Sequence, residues 1–201
     1  MKRVVIGLVG PISGGKGFLA EYLAANGFFY TSTSDRVREE ADRRGLVRVR
    51  ETLQNIGNEL RTIFGSAVLV ERSLFLIPTD AKLVVIDGIR NPGEAMYVKE
   101  QMGGIIIGVD APVELRLRWY LERAKKRGED GVTEEDFWRA NDRDLGIGED
   151  AMGQQSKATF EMSDHVINND GSDRMIRECN SWLLEKFGVN LEGKKKAKEK
   201  D

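Results

Sequence analysis

The chain has 201 residues, enough for one α/β domain with a mobile insertion and a core that needs no disulfide or metal staple. Charged residues make up 32% and hydrophobic residues 40%, an ordinary globular balance, and the formal net charge is -2. That charge offers no general attraction to nucleic acid or anionic lipid, so a grip on phosphate has to come from locally arranged arginines and backbone amides. The single cysteine, Cys179, excludes an internal disulfide framework and a Cys-based zinc site. It falls on the apolar side of a predicted helix with Ile176, Leu183 and Phe187 and reads as core, and the lone histidine, His165, reads as structural.

Taken in chain order, Val4–Val9 is a near-continuous apolar run, the pattern of a strand buried on both faces of a parallel sheet. It is too short for a secretory signal, and no stretch approaches the roughly 20 apolar residues of a membrane helix. The expectation is therefore a cytoplasmic protein without membrane contact, as a monomer or homodimer. A helix follows from about Lys16 to Asn26, stopped by Gly27. Weaker strand signals stand at Phe28–Tyr30 and Val166–Ile167, and strong ones at Leu83–Ile86 and Ile105–Val109. Further helices are predicted over Pro112–Arg127 and from Ser172, as N-cap, to Gly188. Strand and helix in alternation predict a three-layer α/β fold around a central parallel sheet of about five strands. Residues 35–77, helical with breaks near Gly45 and Gly65, read as an insertion, and residues 124–163, charge-dense and glycine-punctuated, read as a short lid. The domain is expected to span 1–192, with 193–201 a disordered charged tail.

Gly10-Pro11-Ile12-Ser13-Gly14-Gly15-Lys16 fits G-x-x-x-x-G-K between a buried strand and a helix. Glycines let successive N–H groups converge on a phosphate, the helix N-terminus adds positive potential, and Lys16 supplies a mobile charge. The predicted ligand is ATP, held by Gly10, Ser13, Gly14, Gly15, Lys16, Gly17 and Phe18. Val85-Ile86-Asp87, an apolar strand ending in a carboxylate, has the form of a Walker B element, which makes Asp87 the candidate for holding Mg²⁺.

With Gly17 the loop resembles that of the adenylate kinase group, G-x-P-G-x-G-K-G-T, with Phe18 in place of the threonine and Ser13 in place of an internal glycine. The hydroxyl usually found beside the metal is therefore missing. Tyr30–Arg38 resembles the S-T-G-D-x-[LV]-R segment of the same kinases, which implies Thr33 by the acceptor base or sugar and Arg38 on its phosphate. Read alone, the segment is a helix N-cap at Ser34 or Asp35 with an exposed arginine. Asp87-Gly88-Ile89-Arg90 stands where those kinases carry D-G-[FY]-P-R, which implies a second phosphate grip from Arg90. The continuation Asn91-Pro92-Gly93-Glu94 resembles phage-type deoxynucleoside monophosphate kinases. So does Leu53–Arg61, which adds Arg61 to the acceptor set.

At the base of the lid the resemblance implies that Arg123 first, and Arg127 second, stabilises the transferring phosphoryl group. Arg116 and Arg118 read as a solvated basic helix face, and Arg139 and Arg143 as either phosphate contacts or surface ion pairs. Ser163–Ser172 resembles the A-D-x-[VI]-I-x-N-x-G-[ST] signature of dephospho-CoA and deoxynucleotide kinases, which implies adenine contacts from Asn169 to Gly171. In overall layout, roughly residues 3–188, the chain is also similar to an archaeal family of kinase-like proteins. The implied activity is γ-phosphoryl transfer from ATP to a small nucleotide-like acceptor, a nucleoside or deoxynucleoside monophosphate. One alternative is a dephospho-CoA kinase-like transfer to a ribose hydroxyl, for which Asp35 is the candidate base. Another is a nucleotide-binding regulator with weak or no activity.

Overall fold

The computed structural model describes residues 3–191, and the charged tail expected at 193–201 lies outside them. In chain order the elements are β1 (Val4–Val9), α1 (Lys16–Ala25), β2 (Phe29–Ser32), α2 (Thr33–Arg43), α3 (Arg50–Phe64), α4 (Val68–Leu74) and β3 (Leu83–Asp87). They continue as α5 (Pro92–Glu100), β4 (Ile105–Asp110), α6 (Val113–Arg127), α7 (Glu134–Leu145), α8 (Ser156–Phe160), β5 (His165–Asn168) and α9 (Arg174–Phe187). The five strands form one parallel sheet in the order β2-β3-β1-β4-β5, with Ile6 of β1 in register with Val85 and Ile105.

Alternation along β1 divides its side chains between two apolar layers. Val4, Ile6 and Leu8 pack with Leu19 and Leu23 of α1 and with Met175, Cys179 and Leu183 of α9. Val5 and Val9 face Val70 of α4 and Ala95 and Val98 of α5. Such two-sided cover is what a parallel sheet requires. Cys179 is fully buried in the first layer, and burial pushes its thiol up to about 12, so it is inert at neutral pH. His165 stacks on Trp182 with ring centroids 4.7 Å apart.

Two satellite clusters build the walls of the site. Val37, Ala41, Leu53, Ile56, Leu60, Val68 and Leu69 bind α2, α3 and α4 to one another. Ile12, from the loop after β1, is packed against Tyr120 of α6 and Phe137 and Ala140 of α7.

Several boundaries differ from expectation. Helix α2 is capped by Ser32, whose side chain accepts from Ser34 N, not by Ser34 or Asp35, because β2 runs on to Ser32 by pairing with Asp87. The cap of α9 is Asp173; Ser172 instead donates its hydroxyl to Asp170 and accepts from Arg174 N. Helix α5 carries signals that the sequence reading passed over: a capping box from Asn91 to Glu94, with proline at its first position. The glycine-rich stretch 124–163 contains the end of α6 and all of α7 and α8, with Gly128 and Gly146 as left-handed C-caps.

Candidate functional site

The loop from Gly10 to Gly15 lies at the C-terminal edge of the sheet, where the chain order reverses on either side of β1 and where open α/β sheets bind ligands. Gly10 (φ 137°) passes so close to β4 that a Cβ would stand 2.1 Å from the Val109 carbonyl oxygen. A Cβ on Gly15 (φ 104°) would stand 2.2 Å from Nδ2 of Asn169. Only glycine fits either place. Ser13 keeps the left-handed conformation (φ 58°) without being glycine, at a cost of about 1 kcal/mol, and its buried Oγ has no hydrogen-bond partner.

Asn169, after β5, donates from Nδ2 to Gly14 O at 3.2 Å and accepts at Oδ1 from Gly171 N at 3.0 Å. The 169–171 turn is thereby tied to the loop, and Gly171 approaches the ring of Trp119 on α6.

Lys16 is 6% exposed and donates from Nζ to the Gly10 and Pro11 carbonyls at 2.7 and 2.8 Å. Burial and then the nearby charge of Arg90 hold its pKa well below the usual lysine range, against the pull of Asp87. Burial pushes the Asp87 carboxyl up, opposed by Lys16 and Arg90. Its Oδ1 is buried without a hydrogen-bond partner. Buried polar atoms are ordinarily satisfied, so the orphaned Ser13 Oγ and Asp87 Oδ1 beside Lys16 suit a phosphate with a hydrated cation. Magnesium needs only one or two protein carboxylates when phosphates supply the rest, and no cluster of three metal-ligating side chains stands among the described residues. Gly17 faces Asp87 Oδ2, while Phe18 beside it is 46% exposed and points no polar group at the loop.

A second cleft lies beside Asp87, lined by Thr33, Arg38, Arg50, Gln54, Arg61 and Arg90 among others. Thr33 is buried and donates to Gly88 O at 2.5 Å. Each of the four arginines faces an acid. Arg38 grips Glu129 through two parallel bonds of 2.9 Å, which raise its pKa, and also holds Asp35 at 2.9 Å. The Asp35 side chain is 42% exposed, and Asp35 is not among the residues lining the cleft. Arg61, 2% exposed, donates to Glu94 at 2.9 Å. Arg90 pairs with the buried Asp144, and burial first, then Arg50, brings its pKa down to about 10. Asp144 Oδ2 also accepts from Ile12 N at 2.9 Å, so α7 is latched to the phosphate loop. The cavity left is about 30 Å³, room for a water or two.

Arg123 donates from Nε to Asp130 at 2.8 Å, and its charge reaches Lys16. The side chain of Arg127 lies outside the described residues. Arg116 is not the solvated side chain expected. It is 8% exposed and donates to Ala111 O, Ile12 O and Asn141 Oδ1, because α7 covers that face of α6. Arg118 is exposed, and Arg139 and Arg143 stay in ion pairs with Glu135 and Glu149. Sequence reasoning passed over Arg50, Glu129 and Asp130. Nothing near Asp144 in the sequence marks its role, since its partner Ile12 lies 132 positions away.

No model of a protein family matches the chain. Among solved structures it is similar to TT1252 from Thermus thermophilus (TM-score 0.58, 19% identity, covering 93% of this chain and 99% of that one). It is also similar to shikimate kinase from Acinetobacter baumannii in complex with shikimate (TM-score 0.56, 17% identity, covering 93% and 96%). The fold is that of the P-loop kinases. Among sequences, the UPF0200/UPF0201 protein of Archaeoglobus fulgidus is 32% identical over 199 residues, and the chain spans 58% of that protein's length. The UPF0200 protein of Thermococcus gammatolerans is 31% identical over 202 residues, covering 94% of this chain and 100% of its own. With identity at that level along the full length of a relative, the chain belongs to the UPF0200 family.

Proposed function

We propose that the protein is an ATP-dependent phosphotransferase that passes the γ-phosphoryl group to a nucleoside or deoxynucleoside monophosphate. The observation that carries this reading is the placement of Arg90. It is close enough to Lys16 and Asp87 to shift both their pKa values, and it also lines the neighbouring arginine-rich cleft. A donor phosphate on the loop and an anionic acceptor in that cleft would meet at its guanidinium. In this reading Gly14, Gly15, Lys16 and Gly17 hold ATP, the 169–171 turn borders its base, and Arg38, Arg61 and Arg90 hold the acceptor. Mg²⁺, held at Asp87, would neutralise charge developing on the transferred group. Phosphoryl transfer asks the protein mainly for position and charge, and the site offers little else.

The test measures ATP-dependent ADP release with purified protein against nucleoside monophosphates, deoxynucleoside monophosphates, dephospho-CoA and shikimate. Turnover with one class of monophosphate alone supports the proposal. Turnover confined to the hydroxyl acceptors would replace it, and tight ATP binding with no turnover at all would favour a regulator.

The missing hydroxyl beside the metal can be supplied. A Cβ on Gly17 would meet only Asp87 Oδ2, at an ordinary 3.8 Å. Gly17→Ser is therefore expected to stabilise α1 by about 0.5 kcal/mol. It should also lower the Mg²⁺ concentration giving half-maximal activity, read from a metal titration; an unchanged titration would mean that position 17 does not face the ion.

A further inference from the structure

The turn between α6 and α7 carries two adjacent acids, Glu129 and Asp130, which pair with Arg38 and Arg50 of the cleft lining. Their backbone is anchored by Arg50 N donating to Glu129 O at 2.8 Å. The Asp130 side chain is fully buried, and its two oxygens are divided between arginines from different parts of the fold. Arg50, at the start of α3, donates from Nε and Nη2 to Oδ1 at 2.7 and 2.5 Å. Arg123, on α6, donates from Nε to Oδ2 at 2.8 Å. Burial pushes the Asp130 carboxyl up, but the two guanidinium groups outweigh it and hold it below the usual aspartate range, so it is an anion at neutral pH. The same Arg123 lies over the Tyr120 ring, 5.6 Å from its centroid, and carries its charge to Lys16.

Arg123 is thus held on two sides, by an apolar ring of its own helix and by a carboxylate whose other oxygen belongs to the acceptor wall. A guanidinium on a helix has several rotatable bonds, and aiming it requires a fixed partner in the orientation it must keep. Asp130 is the fixed partner, and it is itself fixed only while α3 and the turn are together. Without the carboxylate, Arg50 and Arg123 would face each other as like charges and move apart.

We propose that Asp130 is a positioning residue that couples the acceptor wall to Arg123, aiming this guanidinium at the phosphate loop. The proposal rests on the phosphotransferase reading above.

The test compares Asp130→Asn, Arg123→Gln and the double variant with the wild type. It uses ATP, Mg²⁺ and the monophosphate that turns over fastest in the panel, with ADP binding and thermal melting followed in parallel. Asp130→Asn keeps the shape and removes the charge, and it is expected to lower kcat about tenfold to a hundredfold, the effect of misplacing a catalytic group by about an ångström. KM for the acceptor and the ADP dissociation constant should move less than about threefold. Adding Arg123→Gln to Asp130→Asn should cost far less than it does in the wild type, because the aim of Arg123 is already lost. Additive losses would overturn the proposal, as would an Asp130→Asn enzyme with wild-type kcat. If Asp130→Asn is too unstable to assay, Asp130→Glu, which keeps the charge on a longer arm, replaces it; wild-type kcat in that variant would overturn the proposal. A wild-type protein that turns over no acceptor in the panel overturns the phosphotransferase reading, and the proposal with it. Failure of Asp130 alone is recognised by an active wild type.

Discussion

Glu94→Ala is expected to cost about 3–5 kcal/mol of stability, the penalty for stranding one member of a buried ion pair. Glu94 is fully buried and both of its oxygens are used. Oε1 holds Arg61, which is 2% exposed, and Oε2 accepts from the backbone N–H groups of Arg90 at 2.8 Å and Asn91 at 3.2 Å. The substitution therefore leaves a buried guanidinium without its carboxylate and removes half of the capping box of α5. Longer contacts from Arg61 to Asn58 Oδ1 and Met152 O, at 3.4 and 3.5 Å, offer only partial replacement. Glu94→Gln keeps an acceptor for the cap and should cost clearly less. Urea unfolding at a constant m-value distinguishes the two. A loss below about 1 kcal/mol for the alanine variant would show that Arg61 reaches water, and that the acceptor wall is more open than a buried pair allows.

Lys16→Ala is expected to reduce ATP-dependent turnover at least about a hundredfold, the scale for removing one preorganised charge at a reacting phosphate. The same substitution should leave the fold as stable as before or more so. Burial and Arg90 hold the folded-state pKa of Lys16 below its unfolded value. A lysine with a depressed folded pKa is a burden at neutral pH that is relieved as pH rises towards the ordinary lysine range. Stability contributed by this group should therefore increase with pH across that window in the wild type and not in the alanine variant, as read from melting temperatures. Opposite movement of activity and stability is the mark of a residue retained for chemistry. Unchanged turnover would remove the loop from the mechanism.

Much of this layout was legible in residue types at short range. The apolar runs at β1, β3 and β4 declare a buried parallel sheet, because strands covered on both faces can be apolar at every position. The glycine pattern from Gly10 to Gly15 declares the phosphate loop, since a Cβ on Gly10 would stand 2.1 Å from the Val109 carbonyl oxygen and Gly15 holds a φ of 104°. The boundaries were less legible. Asp87 draws β2 onward to Ser32 through strand pairing, and a pairing partner 55 positions away leaves no mark on local sequence.

The sequence by itself determined the sheet, the loop that follows β1, and the carboxylate at the end of β3, all properties of short segments whose periodicity and composition suffice. Only the tertiary structure decided what each charged side chain does. Arg116 and Arg118 are two positions apart on one helix, yet one is buried against Ile12 and Asn141 while the other meets solvent, because α7 covers a single face of α6. Asp130 and Asp144 look like ordinary surface acids in the sequence and are fully buried partners of arginines in the fold. A charge acquires its role from whichever opposite charge the fold brings within about 3 Å of it in a water-poor cleft, and that proximity depends on the packing of distant elements.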